Sequence, residues 1–443
     1  MLRSAKISYL LLYFLFFLFG HSPISNSEII IRDVETENFI AKLTKPIFRA
    51  ANLEQESVSI IILKNKEINA FVTGGQNIFL TTETLLQAKD YTEIAAIIAH
   101  ESGHIAGGHL AKLREKIERE SKKAHFANLI GAGVGIITGG GVKAAQGVAG
   151  GIQEAIRRNI MAFTRSHEGA ADQAALKYLE TAKIPAQGYE SFLTTLMKRE
   201  RIRTGNVNPF IQTHPLTKDR LENISNYLKN RKTNQNFNKG LQDQFLAIQA
   251  KLYAFLKSSD QTTRKYPNKN QQSEDQLANA IVNYKKGKIK KAVLAMDQLI
   301  VNSPNNPYLF ELKGQMLFEN GKLWDSIEAY EQAVKLLPNE ALLLMALSQA
   351  RIATNEKENI VQALKELSRS VNIDSKNITA WYLLSIAYNK IGHQGLSLLS
   401  AAEKFILLGD YKTAKNYAKR AKKALPSNSS GKLRAEDILI LGE

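Results

Sequence analysis

The sequence predicts a two-part chain: an α+β domain, mainly helical with a small sheet, followed by an all-α solenoid of helical hairpins. Three observations carry this expectation. Two β-rich runs lie close together near the start of the chain, a long helical region follows them, and from about residue 276 the sequence repeats itself. At 443 residues the chain is also too long for one ordinary domain.

Arg3 and Lys6 precede an apolar run at 9–19, and small and polar residues fill 20–27. That layout predicts a secretory signal peptide over 1–27, because a membrane-spanning helix needs about 20 apolar residues. An uncleaved anchor is the competing expectation. Residues 28–228 read as one compact domain. Runs 58–63 and 68–73 are β-rich, Gly74-Gly75 marks a turn, and 77–81 continues as a strand. Segment 82–99, free of Gly and Pro, spaces Leu85, Leu86, Ile94, Ile97 and Ile98 as a helix. Over 229–275 the composition shifts to Asn, Gln, Lys and Ser, which predicts a connection with one helix at 241–256 and a linker after it.

Residues 276–443 carry the repeat. Gly287 and Gly321 are 34 residues apart, as are Ala292 and Ser326, and Pro304 and Pro338. A period of 34 with a small residue, a turn Gly and a terminal Pro is the tetratricopeptide signature, clearest in Gly314, Gly321, Tyr330, Ala333 and Pro338. Further helices are expected at 341–353, 359–371 and 381–391, with a last unit around Gly409, Ala414, Ala421 and Pro426. Such hairpins must stack to bury their apolar faces, and the stack offers a concave surface for peptides or other proteins.

Composition narrows the function. The chain has no cysteine, which excludes disulfides, thiolate metal sites and lipoprotein anchoring through an N-terminal Cys. A bacterial periplasm fits an exported chain of this kind best. The formal charge of +17 allows contact with anionic membrane surfaces or acidic partners. The alternation of Glu115, Glu118 and Glu120 with lysines favours a solvated basic surface instead. No nucleic-acid motif is present.

The most informative segment is His100-Glu101-Ser102-Gly103-His104. On a helix, i and i+4 imidazoles share a face and reach one metal ion, and the Glu beside the first can take a proton from an activated water. A third ligand must come from elsewhere. The metzincin pattern fails, because its third-His position holds Leu110 and His109 is one residue short. On a continued helix, His109 would point away. Glu168 and Asp172, also i and i+4 at the head of an apolar helix, meet the need: Glu168 as ligand, Asp172 accepting the distal N–H of a ligand His. His109, His125 and His167 read as structural.

The run His100 to His109, Glu168 with Asp172, Asn69-Ala70-Phe71 with Gly74-Gly75, and Thr213-His214-Pro215 with Arg220 resemble the gluzincin family of HtpX and the CAAX prenyl protease. Signal peptide and repeats are similar to those of a periplasmic, repeat-bearing member. The resemblance implies one zinc ion held by His100, His104 and Glu168, with Glu101 as general base against a peptide carbonyl. It implies an edge for extended substrates around Phe71, Ile78, Phe79 and Leu80. It gives His214 two possible roles, capping the zinc in a latent state or stabilising the oxyanion, and makes Arg220 the anchor of that loop.

Between the two motifs lies a charge-free, Gly-rich stretch at 124–142, expected as a flap over the active site or as a flexible surface loop. It is no phosphate loop, since no Gly-Lys-Ser/Thr follows. The whole predicts an exported zinc endopeptidase whose repeats dock it on an assembly machine, by resemblance that of the outer membrane, or present misfolded clients. By resemblance, its clients are outer-membrane β-barrel proteins that stall during insertion. The rival expectation is a periplasmic chaperone or adaptor with a latent zinc site.

Overall fold

β-branched runs become strands. In the computed structural model, β1 (Ile29–Ile31), β2 (Ser59–Lys64), β3 (Ala70–Thr73) and β4 (Asn77–Thr81) form one sheet in the order β1-β2-β4-β3. The structure describes residues 29–441 apart from 75, 123–140, 204, 206, 231–236 and 268–271, with backbone alone over 141–159. The expected signal peptide and nearly all of the Gly-rich stretch lie outside the described residues. Contacts divide the chain into two compact units, one centred on Thr36–Leu252 and one on Tyr253–Glu443.

β3 and β4 make the expected hairpin, antiparallel with Phe71 opposite Phe79. β2 then pairs with β4 in parallel, from Ser59 opposite Asn77 to Leu63 opposite Thr81. This corrects the expected substrate edge. The backbone of Ile78, Phe79 and Leu80 is flanked by strands on both sides, and of those four residues only Phe71 stands on an edge strand. Ile78 and Leu80 face the core and are fully buried, while Phe79 stacks on Phe71 with ring centroids 5.1 Å apart.

The helix expected over 82–99 is two helices. After α1 (Val34–Ala50) and the strands come α2 (Thr82–Gln87) and α3 (Tyr91–Ala106). Asp90 breaks the run: its carboxylate accepts the backbone N–H groups of Thr92 and Glu93 and caps α3. α3 is buried along most of its length and runs through the core, with Ile94, Ala95, Ala96, Ile98 and Ala99 fully buried. Each buried Ile contributes roughly 1.5–3 kcal/mol. Gly107 and Gly108, the latter at φ +60°, end the helix and turn the chain into α4 over residues 109–122.

α5 (Gly141–Thr181), α6 (Gln187–Ile202), α7 (Pro209–Thr213), α8 (Lys218–Lys229) and α9 (Lys239–Leu256) complete this part of the chain. Phe245 of α9 stacks on Phe39 of α1 at 5.6 Å. Two glycines set the spacing around α3. A Cβ on Gly103 would stand 3.1 Å from Ala171 Cα of α5, and one on Gly188 of α6 would stand 2.5 Å from the Thr92 backbone carbon. No helix among the described residues is long and apolar enough to cross a membrane.

The second unit is a tetratricopeptide-type helical array. After α10 (Ser259–Lys265) come the hairpins α11 (Ser273–Lys285) with α12 (Ile289–Asn302), α13 (Pro307–Glu319) with α14 (Leu323–Leu336), α15 (Ala341–Ala353) with α16 (Lys357–Ile373), and α17 (Ile378–Lys390) with α18 (Gln394–Leu407). α19 (Tyr411–Ala424) and α20 (Ser430–Ile440) follow. Gly287, Gly321, Gly392 and Gly409 hold turns at φ +70°, +74°, +82° and +72°. At the next 34-residue step after Gly321 stands Asn355 at φ +60°, a residue type that also tolerates this conformation. Gly314 of α13 faces the buried ring of Tyr330 on α14, where a Cβ would lie 2.8 Å from Cδ1. Replacing Gly314 with Ala is expected to cost about 1–3 kcal/mol, seen as an earlier midpoint in chemical denaturation. Gly240→Ala, whose Cβ would approach no closer than 3.5 Å to the nearest atom, serves as the neutral control.

Candidate active site

His100 and His104 lie one turn apart near the end of α3, His100 fully buried and His104 partly so. Because Gly103 lacks a side chain, α5 packs directly against this turn and brings Glu168 and Asp172 to the imidazoles. The third element is the loop after α7. Asn208 caps α7, Pro209 opens it, and the His214 backbone N–H closes it on Phe210 O at 2.8 Å. Phe210 then packs 4.8 Å from the His214 ring.

Four side chains converge: His100, His104, Glu168 and His214 each offer a ligand atom, all within 4.8 Å of one another. His100 Nε2 is 3.1 Å from His104 Nε2, 3.3 Å from His214 Nδ1 and 3.4 Å from Glu168 Oε2. His104 Nε2 is 3.3 Å from Glu168 Oε1. One ring proton on His100 cannot satisfy three such neighbours at once. Bonds of about 2.0–2.1 Å to a tetrahedral cation would set ligand atoms roughly 3.3 Å apart, so this donor set fits a small divalent metal ion.

Outside the cluster, every ring nitrogen is oriented. His100 Nδ1 lies 2.8 Å from Tyr189 Oη and 3.1 Å from Asp172 Oδ1, and the Tyr189 hydroxyl donates to Asp172. Arg220 holds Asp172 with two bonds of 2.7 Å from Nε and Nη2. Its Nη1 is 2.9 Å from Glu168 Oε2 and donates to Pro215 O at 3.0 Å, tying down the His214 loop. His214 Nε2 lies 3.3 Å from both Ala70 O on β3 and Glu101 Oε1. Glu101 is fully buried, and neither of its oxygens has a hydrogen-bond partner among the described residues.

Burial works against the charges here, and the partners overcome it. Burial alone would lower His100, yet hydrogen bonds to Asp172 and Glu168 raise it to about 9. Burial would raise Asp172, but His100 and Arg220 hold it at about 2. Glu168 is likewise opposed by burial and is held well below the carboxylate range by the three imidazoles. Burial pushes His104 down, and burial with the neighbouring His104 takes His109 down to about 4. Tyr189 is pushed well up by burial and stays a neutral donor.

Two residues of this site are absent from the sequence reading as participants. Tyr189 belongs to no spacing pattern. Its place follows from Gly188, which lets the start of α6 press against α3. A continued helix would carry His109 away, but the helix stops at Ala106 and His109 Nδ1 comes to 3.1 Å from His104 Nδ1. The signal for it is Gly107-Gly108. Of the four residues expected at the substrate edge, the edge strand β3 carries Phe71 alone.

Fold and donor set define a metallopeptidase of the His-Glu-x-x-His type, completed by a Glu from a second helix. Residues 35–228 match the model of peptidase family M48, and with the donor set above the match makes the protein a metalloprotease. The beta-barrel assembly-enhancing protease of Escherichia coli (strain K12) is 22% identical over 396 residues, covering 88% of this chain and 78% of that protein. That of Yersinia pestis is 23% identical over 386 residues, covering 86% and 78%. The putative one of Vibrio cholerae is 30% identical over 199 residues, covering 44% and 40%. Among solved structures, MamA is similar at a TM-score of 0.29 and 18% identity over 36% of this chain and 90% of its own. A thermophilic TPR protein of Thermus thermophilus is similar at 0.26 and 18%, over 38% and 100%.

Arg220→Ala would leave Asp172 and Glu168 buried without their cation. Breaking such a pair costs about 3–5 kcal/mol, so the variant should unfold at markedly lower denaturant than the native chain.

Proposed function

We propose that this protein is an exported zinc-dependent endopeptidase that hydrolyses misfolded or stalled envelope proteins. The observation that carries the reading is the buried convergence of His100, His104 and Glu168 beside an unbonded Glu101. In this reading residues 28–228 are the peptidase domain, 229–275 the connection and 276–443 the repeat domain, and the segment 1–27 directs the chain to the periplasm.

His100, His104 and Glu168 would hold zinc, which when bound polarises the substrate carbonyl and acidifies water. Glu101 is the general base. With no hydrogen bond to break, its carboxylate takes the proton of the attacking water and delivers it to the leaving amine. Asp172, Tyr189 and Arg220 do not touch substrate. They hold His100 with its Nε2 lone pair directed at the cluster. An extended substrate would add to the free side of β3, beside Phe71, pairing backbone to backbone.

The similar proteins are named for enhancing beta-barrel assembly, which supports a reading in which the clients are outer-membrane β-barrel proteins and the repeats dock on their assembly machinery. The repeats supply a surface for such contacts. A second reading has its own observation. His214 Nδ1 stands among the ligand atoms while Nε2 reaches Ala70 O, so the same side chain fills a fourth metal position and occupies a carbonyl of the edge strand. That favours a latent site, and a chain held in it would act as a chaperone or adaptor through its repeats.

The first test incubates the zinc-loaded mature chain with an unfolded β-barrel protein, beside Glu101→Gln. Cleavage by the native chain and a loss of about 10²–10⁴-fold in the variant, at equal zinc content, is the expected result. Cleavage unchanged by Glu101→Gln would overturn the assignment of the base. His214→Ala is expected to raise the rate if the side chain locks the metal and to lower it if the side chain supports the oxyanion. An unchanged rate removes His214 from the mechanism.

A further inference from the structure

His104 presents Nε2 to the donor cluster, and its other ring nitrogen faces a second imidazole. His109 Nδ1 lies 3.1 Å from His104 Nδ1, with the rings nearly perpendicular. Two nitrogens at that distance share one proton. If Nε2 of His104 gives its lone pair to a cation, the proton must be on its Nδ1, and His109 Nδ1 must accept it. We infer that His109 is a positioning residue for the metal site: it accepts the Nδ1–H of His104 and so fixes both the tautomer and the tilt of that ligand.

Several features hold the acceptor in place. Gly108 at φ +60° reverses the chain after α3, which is what returns His109 to His104. A Cβ on Gly107 would lie 2.3 Å from His109 Nε2, so the ring occupies space only glycine leaves open. On its far side the His109 ring stacks on His167 at 4.3 Å and 8° between planes, and Phe163 packs against His167 at 4.0 Å. His167 is the residue before Glu168, so the same turn of α5 that delivers the carboxylate also supports the ring behind His104. The two ligand imidazoles are thus oriented by unlike groups: His100 by an ionised Asp172 with a tyrosine, His104 by a neutral ring.

This inference rests on the metal-site reading, and the experiment separates the two. Zinc dissociation constants are measured on the mature chain by competition with a chromophoric chelator, for the native protein and for His109→Asn, His109→Gln and His109→Ala. Asn places its amide oxygen where the Nδ1 acceptor stands. Gln keeps more bulk against His167 but puts no acceptor there. The expected result is near-native affinity for His109→Asn and about 10–100-fold weaker binding for the Gln and Ala variants. Nitrogen-15 NMR of the zinc-loaded chain should show the His104 Nδ1–H as a downfield, slowly exchanging proton in the native and Asn proteins only. Native affinity in His109→Ala, equal weakening in all three variants, or rescue by Gln as good as by Asn overturns the acceptor role while leaving the metal site standing. A native chain that binds no zinc overturns the metal reading itself and this inference with it.

Discussion

The site depends on how closely α3 and α5 approach. Two helices ordinarily pack with side chains between them at 8–10 Å. Here Gly103 removes the spacer on one side and Ala171 offers only a methyl group on the other, and the Cβ that is missing would have stood 3.1 Å from the Ala171 backbone. Glu168 and Asp172 flank Ala171, as His100 and His104 flank Gly103. The contact is therefore the fulcrum about which four functional side chains are arranged. A larger residue at either centre would separate both pairs together.

Closeness creates an electrostatic problem that the surrounding residues answer. Two buried carboxylates repel each other and lose hydration. Arg220 reaches both, Tyr189 adds a donor to Asp172, and the imidazoles share Glu168. The same guanidinium holds Pro215 O beside His214, so the charge balance of the carboxylates and the placement of the loop are one arrangement. Glu101 is reached from this network only through His214, whose Nε2 lies 3.3 Å from its Oε1.

Much of this was legible in the sequence because helices convert spacing into direction. An i, i+4 pair of imidazoles and an i, i+4 pair of carboxylates need no tertiary knowledge to be placed on single faces, and a 34-residue period announces stacked hairpins. What escaped lies where the chain stops being periodic. Asp90 splits one expected helix by capping the second half, and Gly107-Gly108 turns His109 back instead of carrying it away. The hairpin of β3 and β4 was visible, but nothing local announces that β2 crosses to pair with β4 and makes it an inner strand. Tyr189 arrives from a helix whose approach is set by the glycine before it, a purely spatial cause. Asn355, one 34-residue step after Gly321, holds the same left-handed turn without a glycine, so the rhythm of the repeat outlasts its letters.

The edge strand has only four residues, Ala70–Thr73, and spans roughly 13 Å. An edge that short has room for a few peptide units, too few to read an address written in side chains. A substrate paired there, as proposed above, would be read only for lying extended with its amides still unclaimed. A strand whose amides are already paired would offer nothing to such a reader, whatever its composition. Under that proposal discrimination would need no recognition code: a client would escape by completing its own hydrogen-bond ladder, and time spent unzipped would become the quantity measured.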